Sequence, residues 1–174
     1  MTFNTKQLNS VWKLEEIVGY RFSNRQLALH SLTLPTGKSS EDNKNFQYLE
    51  FVGDRVYNLC VVAEVSERFL KPMSPGTLNN KAFPLLSNQY QATFARERGI
   101  LELVLKNGKS SKPPKESYKQ AADILEAIYG AIFIDSEHNF STVFASHMRL
   151  VKMAPVSQQL AANPVLQQPQ TAAP

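Results

Sequence analysis

Two pairs of carboxylates are set into the most apolar helix-forming stretches of this chain. Glu50 and Asp54 lie in Leu49-Glu50-Phe51-Val52-Gly53-Asp54, and Asp123 and Glu126 lie in Ala122-Asp123-Ile124-Leu125-Glu126-Ala127. Their spacings, i to i+4 and i to i+3, put both members of a pair on one helix face, a turn apart. Like charges so placed repel, and carboxylates flanked by Leu, Phe, Val and Ile lose part of their hydration. A divalent cation relieves both costs, because hard cations take oxygen ligands. The pattern thus suits a fold in which two apolar helices meet around metal. A single such pair is ordinarily a solvated stripe, since Asp and Glu are mostly exposed. Two pairs within apolar helices leave the solvated and the metal-binding readings both open.

Helical periodicity recurs along the chain and strand signals are nearly absent, so the expected fold is all-α. A first helix is predicted from about Lys6 to Val18, stopped by Gly19, and a second from Ser23 or Asn24 to a point before Pro35. Thr36 to Lys44 reads as a surface loop. The longest helix is predicted from about Asn45 to Leu70, apolar on several sides and therefore central. Shorter helices follow over 77–86, where Pro84 marks a kink or break, and from Ser87 to Arg98. The stretch 106–115 reads as a loop, 116–135 as a second core helix and 141–152 as a last amphipathic one. From Met153 to Pro174 there is no charged residue, and Gln, Ala and Pro dominate, so the expectation is one domain over 1–152 and a disordered tail over 153–174. Gly53 is costly inside a central helix, by roughly 1 kcal/mol relative to Ala, which predicts a close approach of another element there.

With 174 residues, 43% of them hydrophobic, one core can be buried. The net charge of +4 permits a polyanionic partner without requiring one. The lone Cys60 sits in an apolar run and reads as a buried, reduced thiol. His30, His138 and His147 are scattered, and no Gly-rich phosphate loop is present. The N-terminus lacks a secretory or transit pattern, and no apolar run approaches the roughly 20 residues that span a bilayer. The expected setting is the cytoplasm, without a membrane partner.

The segment Phe46-Gln47-Tyr48-Leu49-Glu50-Phe51-Val52-Gly53-Asp54-Arg55-Val56 closely resembles the signature of the ribonuclease III family. Further likenesses follow in family order: Gly19-Tyr20-Arg21-Phe22 with Ser31-Leu32-Thr33, then Leu86-Ser87-Asn88 with Phe94-Ala95-Arg96-Glu97-Arg98-Gly99-Ile100. The last is Ala122 to Ala127 with Gly130-Ala131-Ile132-Phe133-Ile134-Asp135-Ser136. The chain departs from the family at Gln47, where many bacterial members carry Glu, at Leu34 in place of His, and at Lys81 in place of Arg.

The resemblance implies a ribonuclease III-type helical endonuclease domain acting as a symmetric homodimer. It implies Mg²⁺-dependent hydrolysis of both strands of double-stranded RNA, with Mn²⁺ able to substitute. The products would be 5′-phosphate and 3′-hydroxyl ends with a short 3′ overhang, and the setting RNA processing. Glu50, Asp54, Asp123 and Glu126 match the family's metal-binding carboxylates, with Glu126 and Asp54 as the catalytic pair. Phe51 matches the aromatic residue that inserts into the partner subunit. Many family members carry a separate RNA-binding domain after the nuclease domain, and residues 153–174 do not resemble one. The lysine-rich stretch of Lys106, Lys109, Lys112, Lys115 and Lys119 is the local candidate for phosphate contacts, since duplex RNA is read mainly by shape and charge. The alternative is a non-catalytic ribonuclease III-like RNA-binding subunit of a ribosome or RNA-processing complex, although such proteins tend to lose acidic ligands and all four are present here.

Overall fold

A computed structural model describes residues 3–34, 41–69, 72–106, 109–110 and 117–155. Seven α-helices are found among them: α1 (Thr5–Val18), α2 (Arg25–Leu32), α3 (Glu41–Glu67), α4 (Pro75–Ala82), α5 (Asn88–Glu97), α6 (Tyr118–Asp135) and α7 (Phe140–Lys152). The all-α expectation holds. Local chemistry sets most boundaries. Asn4 and Gln7 form a reciprocal capping box at the start of α1, both bonds 2.9 Å, and Gly19 ends it in the left-handed region at φ 68°. Asn24, Ser74, Ser87, Ser117 and Asn139 cap the starts of α2, α4, α5, α6 and α7.

Two details differ from the sequence reading. α3 begins at Glu41, inside the stretch expected to be loop. α2 stops at Leu32, and Thr33–Leu34 forms a strand, β1, in place of a last helical turn. β1 pairs in parallel with β2 (Leu105–Lys106), which pairs antiparallel with β3 (Lys109–Ser110). These strands are two residues long, too short for a periodic signal, and their pairing joins segments far apart in sequence. Of the kink or break expected at Pro84, the structure has the break: α4 ends at Ala82 and a 3₁₀ turn, Phe83–Leu86, takes over. The expected loop residues 107–108 and 111–115, and most of the expected tail, lie outside the described residues.

α3 and α6 form the centre of the molecule and pack on each other more extensively than any other pair of elements. Leu49, Tyr57, Cys60 and Val61 of α3 meet Ile124, Leu125, Ile128 and Tyr129 of α6 in one core, each no more than 1% exposed. Burial pushes the Cys60 thiol up to about 12, which keeps it protonated and unreactive. A charged network crosses this core. His147 of α7 meets Glu64 of α3 at 2.9 Å through Nε2 and the Tyr129 hydroxyl at 2.7 Å through Nδ1. Burial pushes the Glu64 carboxyl up, but the bonds and charges of His147 and Arg68 outweigh it and hold it below the ordinary value. At the other end of α6, Asp135 accepts from the Tyr20 hydroxyl and from the Ser23 and Asn24 amides, each at 2.8 Å, tying α6 to the start of α2.

Candidate metal centre

Two glycines set the geometry of the site. A Cβ on Gly53 of α3 would lie 1.7 Å from the Glu126 carbonyl oxygen, and one on Gly130 of α6 would lie 2.1 Å from the Leu49 carbonyl oxygen. The two backbones therefore cross in direct contact, each at the other's glycine. This is the close approach that Gly53 predicts from sequence. Because it occurs at Glu126 itself, it brings the carboxylates of one helix against those of the other.

Side-chain oxygens of Glu50, Asp123 and Glu126 lie within 4.8 Å of one another. Glu126 is 7% exposed, whereas Glu50 and Asp123 are half-buried and open to solvent. Burial, then the charge of Asp54, pushes the Glu126 carboxyl up to about 7, while the Gln91 side chain works in the opposite direction. Burial and then the Asp123 charge raise Glu50 as well. Glu50 and Glu126, both raised by burial and by neighbouring carboxylates, suit a doubly charged hard cation that would offset the charge they carry on ionising. All three residues offer oxygen, the donor type Mg²⁺ and Mn²⁺ accept.

Asp54 stands apart from this trio. Its Oδ2 accepts from Arg55 Nη1 at 2.6 Å and its Oδ1 from Asn58 Nδ2 at 2.9 Å. Its charge still ranks second among the influences on Glu126, so it borders the site. Of the four carboxylates singled out by sequence, three meet and the fourth flanks them.

The remaining candidates are placed as follows. Phe51 is 62% exposed, with the Arg55 guanidinium 4.1 Å above its ring, so it is no core residue within one chain. Lys106 is exposed, Lys109 lies on β3, and Lys112 and Lys115 lie outside the described residues. Lys119 is not on the loop. It occupies the first turn of α6, where its Nζ meets both Asp123 oxygens at 2.8 and 3.1 Å. The hydrogen bond with Asp123 raises its pKa, so it stays charged at the rim of the carboxylate group.

Sequence reasoning missed two participants. Asn58 supports Asp54, donating also to its carbonyl oxygen at 2.7 Å. Gln91 of α5 is 2% exposed, donates through Nε2 to the Leu86 carbonyl at 3.2 Å, and works against the rise of the Glu126 pKa. A signal for it does exist. Gln91, Phe94, Ala95 and Arg98 recur at i, i+3, i+4 and i+7, so this Gln occupies the apolar face of its helix, where a polar group needs a reason.

Comparison with known proteins agrees with this architecture. The family model described as "Ribonuclease III domain" matches residues 47–137, a span holding all four carboxylates. A ribonuclease 3 from Campylobacter jejuni is 29% identical over 146 residues, covering 83% of this chain and 62% of the relative. One from Bartonella bacilliformis is 32% identical over 128 residues, covering 71% of this chain and 52% of the relative. The chain thus spans between half and two thirds of these relatives' length. Among solved structures, the nuclease domain of the Campylobacter jejuni enzyme superimposes with a TM-score of 0.67 at 29% identity, covering 82% of this chain and 96% of that domain; that work concerns a region involved in dimer formation. With the match of residues 47–137, the helical architecture and the shared nuclease-domain fold in agreement, the chain belongs to the ribonuclease III family.

Proposed function

We propose that this chain is a double-strand-specific endoribonuclease that works as a homodimer with Mg²⁺, leaving 5′-phosphate and 3′-hydroxyl ends with short 3′ overhangs. The observation that carries the reading is the convergence of the Glu50, Asp123 and Glu126 oxygens within 4.8 Å at the α3–α6 crossing. A cation held there would lower the pKa of a bound water and offset charge on the scissile phosphodiester. Glu126, the most buried of the group, is the natural anchor for the cation, and the half-open Glu50 and Asp123 leave room for substrate. Asp54, fixed by Asn58 and Arg55, adds negative charge beside Glu126 and completes the catalytic pair. Lys119, charged and mostly exposed, is available to a phosphate approaching the Asp123 side, and Lys106 is an exposed candidate for a further phosphate contact.

An exposed stripe on α3 supports the homodimer. Tyr48, Phe51 and Leu59 are each at least half exposed and, with Arg55 between them, follow a spacing of i, i+3, i+7 and i+11 on one face. A second copy presenting the same stripe would bury it, and two-fold symmetry would give one site per strand of a duplex.

The test is incubation of the purified protein with a long RNA duplex and Mg²⁺ beside Glu126→Gln, with the product ends mapped. Staggered cuts by the unaltered protein, reduced at least about 100-fold in the variant, are expected, since a ligand carboxylate acts on the reacting atoms. A protein that binds duplex RNA without cutting it would be an RNA-binding subunit instead.

A further inference from the structure

Two ladders of side chains run next to each other along α3. Glu50, Asp54 and Asn58 recur every fourth residue, the first inside the carboxylate trio and the second beside it. Phe51, Arg55 and Leu59 recur one position later, on the exposed stripe. Arg55 joins the two ladders. Its Nη1 donates to Asp54 Oδ2 at 2.6 Å and to the Phe51 carbonyl at 3.3 Å, and its guanidinium lies 4.1 Å above the Phe51 ring. The Arg55 side chain is 62% exposed, so close packing does not fix it there. A carboxylate and the face of an aromatic ring do.

Each of these attachments has a competitor. With Oδ2 taken by Arg55 and Oδ1 by Asn58, Asp54 stands outside the group formed by Glu50, Asp123 and Glu126. A divalent cation in that group attracts the Asp54 carboxylate, and the guanidinium opposes it by offsetting the same charge. A second copy laid on the stripe competes for the ring. It needs the face of Phe51 that the guanidinium now covers, and a guanidinium trapped between apolar surfaces would lose water without gaining a new partner. The copy therefore displaces Arg55, and Asp54 loses its counter-ion in the same movement.

We propose that Arg55 is a latch coupling self-association to the metal centre: in the single chain it holds Asp54 away from the other three carboxylates, and the covering of Phe51 by a second copy releases Asp54 to the cation. Such coupling is reciprocal, so a divalent cation tightens the dimer by the same factor as the dimer tightens the cation. The inference rests on the metal and homodimer readings above and names the side chain that links them. It assigns Arg55 no contact with RNA.

Sedimentation velocity of the full chain over a dilution series, with and without Mn²⁺ and without RNA, measures the coupling. Mn²⁺ titrations below and above the dimer dissociation constant, followed by the free-ion electron paramagnetic resonance signal, measure it from the other side. The unaltered protein should dimerise about fivefold more tightly with Mn²⁺, the scale of one partly exposed ion pair. Arg55→Met keeps an apolar stem over the ring and removes the guanidinium, so its monomer should bind Mn²⁺ as tightly as its dimer does. A change below twofold in the unaltered protein overturns the latch and leaves both underlying readings standing. So does a coupling that survives undiminished in Arg55→Met. Absence of Mn²⁺ binding overturns the metal reading, absence of self-association overturns the homodimer reading, and either result takes this inference with it.

Discussion

At the scale of single residues, the site is governed by how far Glu126 is withdrawn from water. Burial, then the Asp54 charge, pushes its carboxyl up to about 7, well above an unfolded glutamate. A group whose folded pKa is raised contributes stability that is fully present below the unfolded value and is lost as pH rises through the folded one. Stability without metal should therefore fall between about pH 4.5 and 7, by up to roughly 3 kcal/mol at 1.36 kcal/mol per unit. Denaturant melts across that range should show the fall. Glu126→Gln should flatten it, and Mg²⁺ should restore stability at the alkaline end by binding only the folded chain. Comparing the two proteins at each pH cancels the contribution of Glu64, whose depressed pKa acts in the opposite sense, giving stability that is lost on acidification. A pH slope identical in both proteins would mean that Glu126 is not the withdrawn carboxylate.

At the scale of elements, everything depends on two helices touching backbone to backbone. The glycine contacts make this testable with one atom. Gly53→Ala places a methyl 1.7 Å from a carbonyl oxygen of the facing helix, which cannot rotate away. The helices must separate, so a loss of about 3 kcal/mol or more is expected, at the upper end for overpacked cores. Cleavage should fall with it, because Glu126 moves away from Glu50. Gly130→Ala, facing the Leu49 carbonyl, should behave alike. Gly76 on α4 meets nothing within 4 Å, so Gly76→Ala should be neutral or stabilising by up to about 1 kcal/mol. Thermal unfolding of the three variants compares them directly; equal melting temperatures would contradict the contact. At this scale the sequence is only partly legible. Caps and stops such as Asn4, Gly19, Ser74-Pro75 and Ser87 are local and give boundaries within a residue or two. β1 is not local: Thr33 and Leu34 leave the helical conformation to pair with Leu105 and Lys106, a partnership no window around residue 33 contains.

At the scale of the whole molecule, the chain leaves a hydrophobic stripe uncovered beside its acidic site. Large aromatic groups exposed in a row are costly unless a partner covers them, and Phe51 projects furthest. Phe51→Glu should weaken self-association by about 30-fold or more, the range expected when a central aromatic anchor is lost, while leaving the helical circular dichroism of the monomer unchanged. Sedimentation velocity over a dilution series measures this; an unaffected dimer would place the interface elsewhere. No described helix is long and apolar enough to cross a membrane, so the stripe is not part of a helical span.

The carboxylates, their pairing on helix faces and the close approach at Gly53 are all written in the order of residues, because helix geometry converts spacing into facing with no outside information. The same holds for family membership, which the motif around Glu50 and Asp54 already carries. What only the tertiary structure decided is which groups share a volume. Glu50 meets Asp123 and Glu126 while Asp54 turns to Asn58 and Arg55, and His147 pairs with Glu64 instead of standing alone. Those outcomes depend on side-chain rotamers and on packing between segments distant in sequence. Burial and charge settle them together, and neither exists until the helices have met.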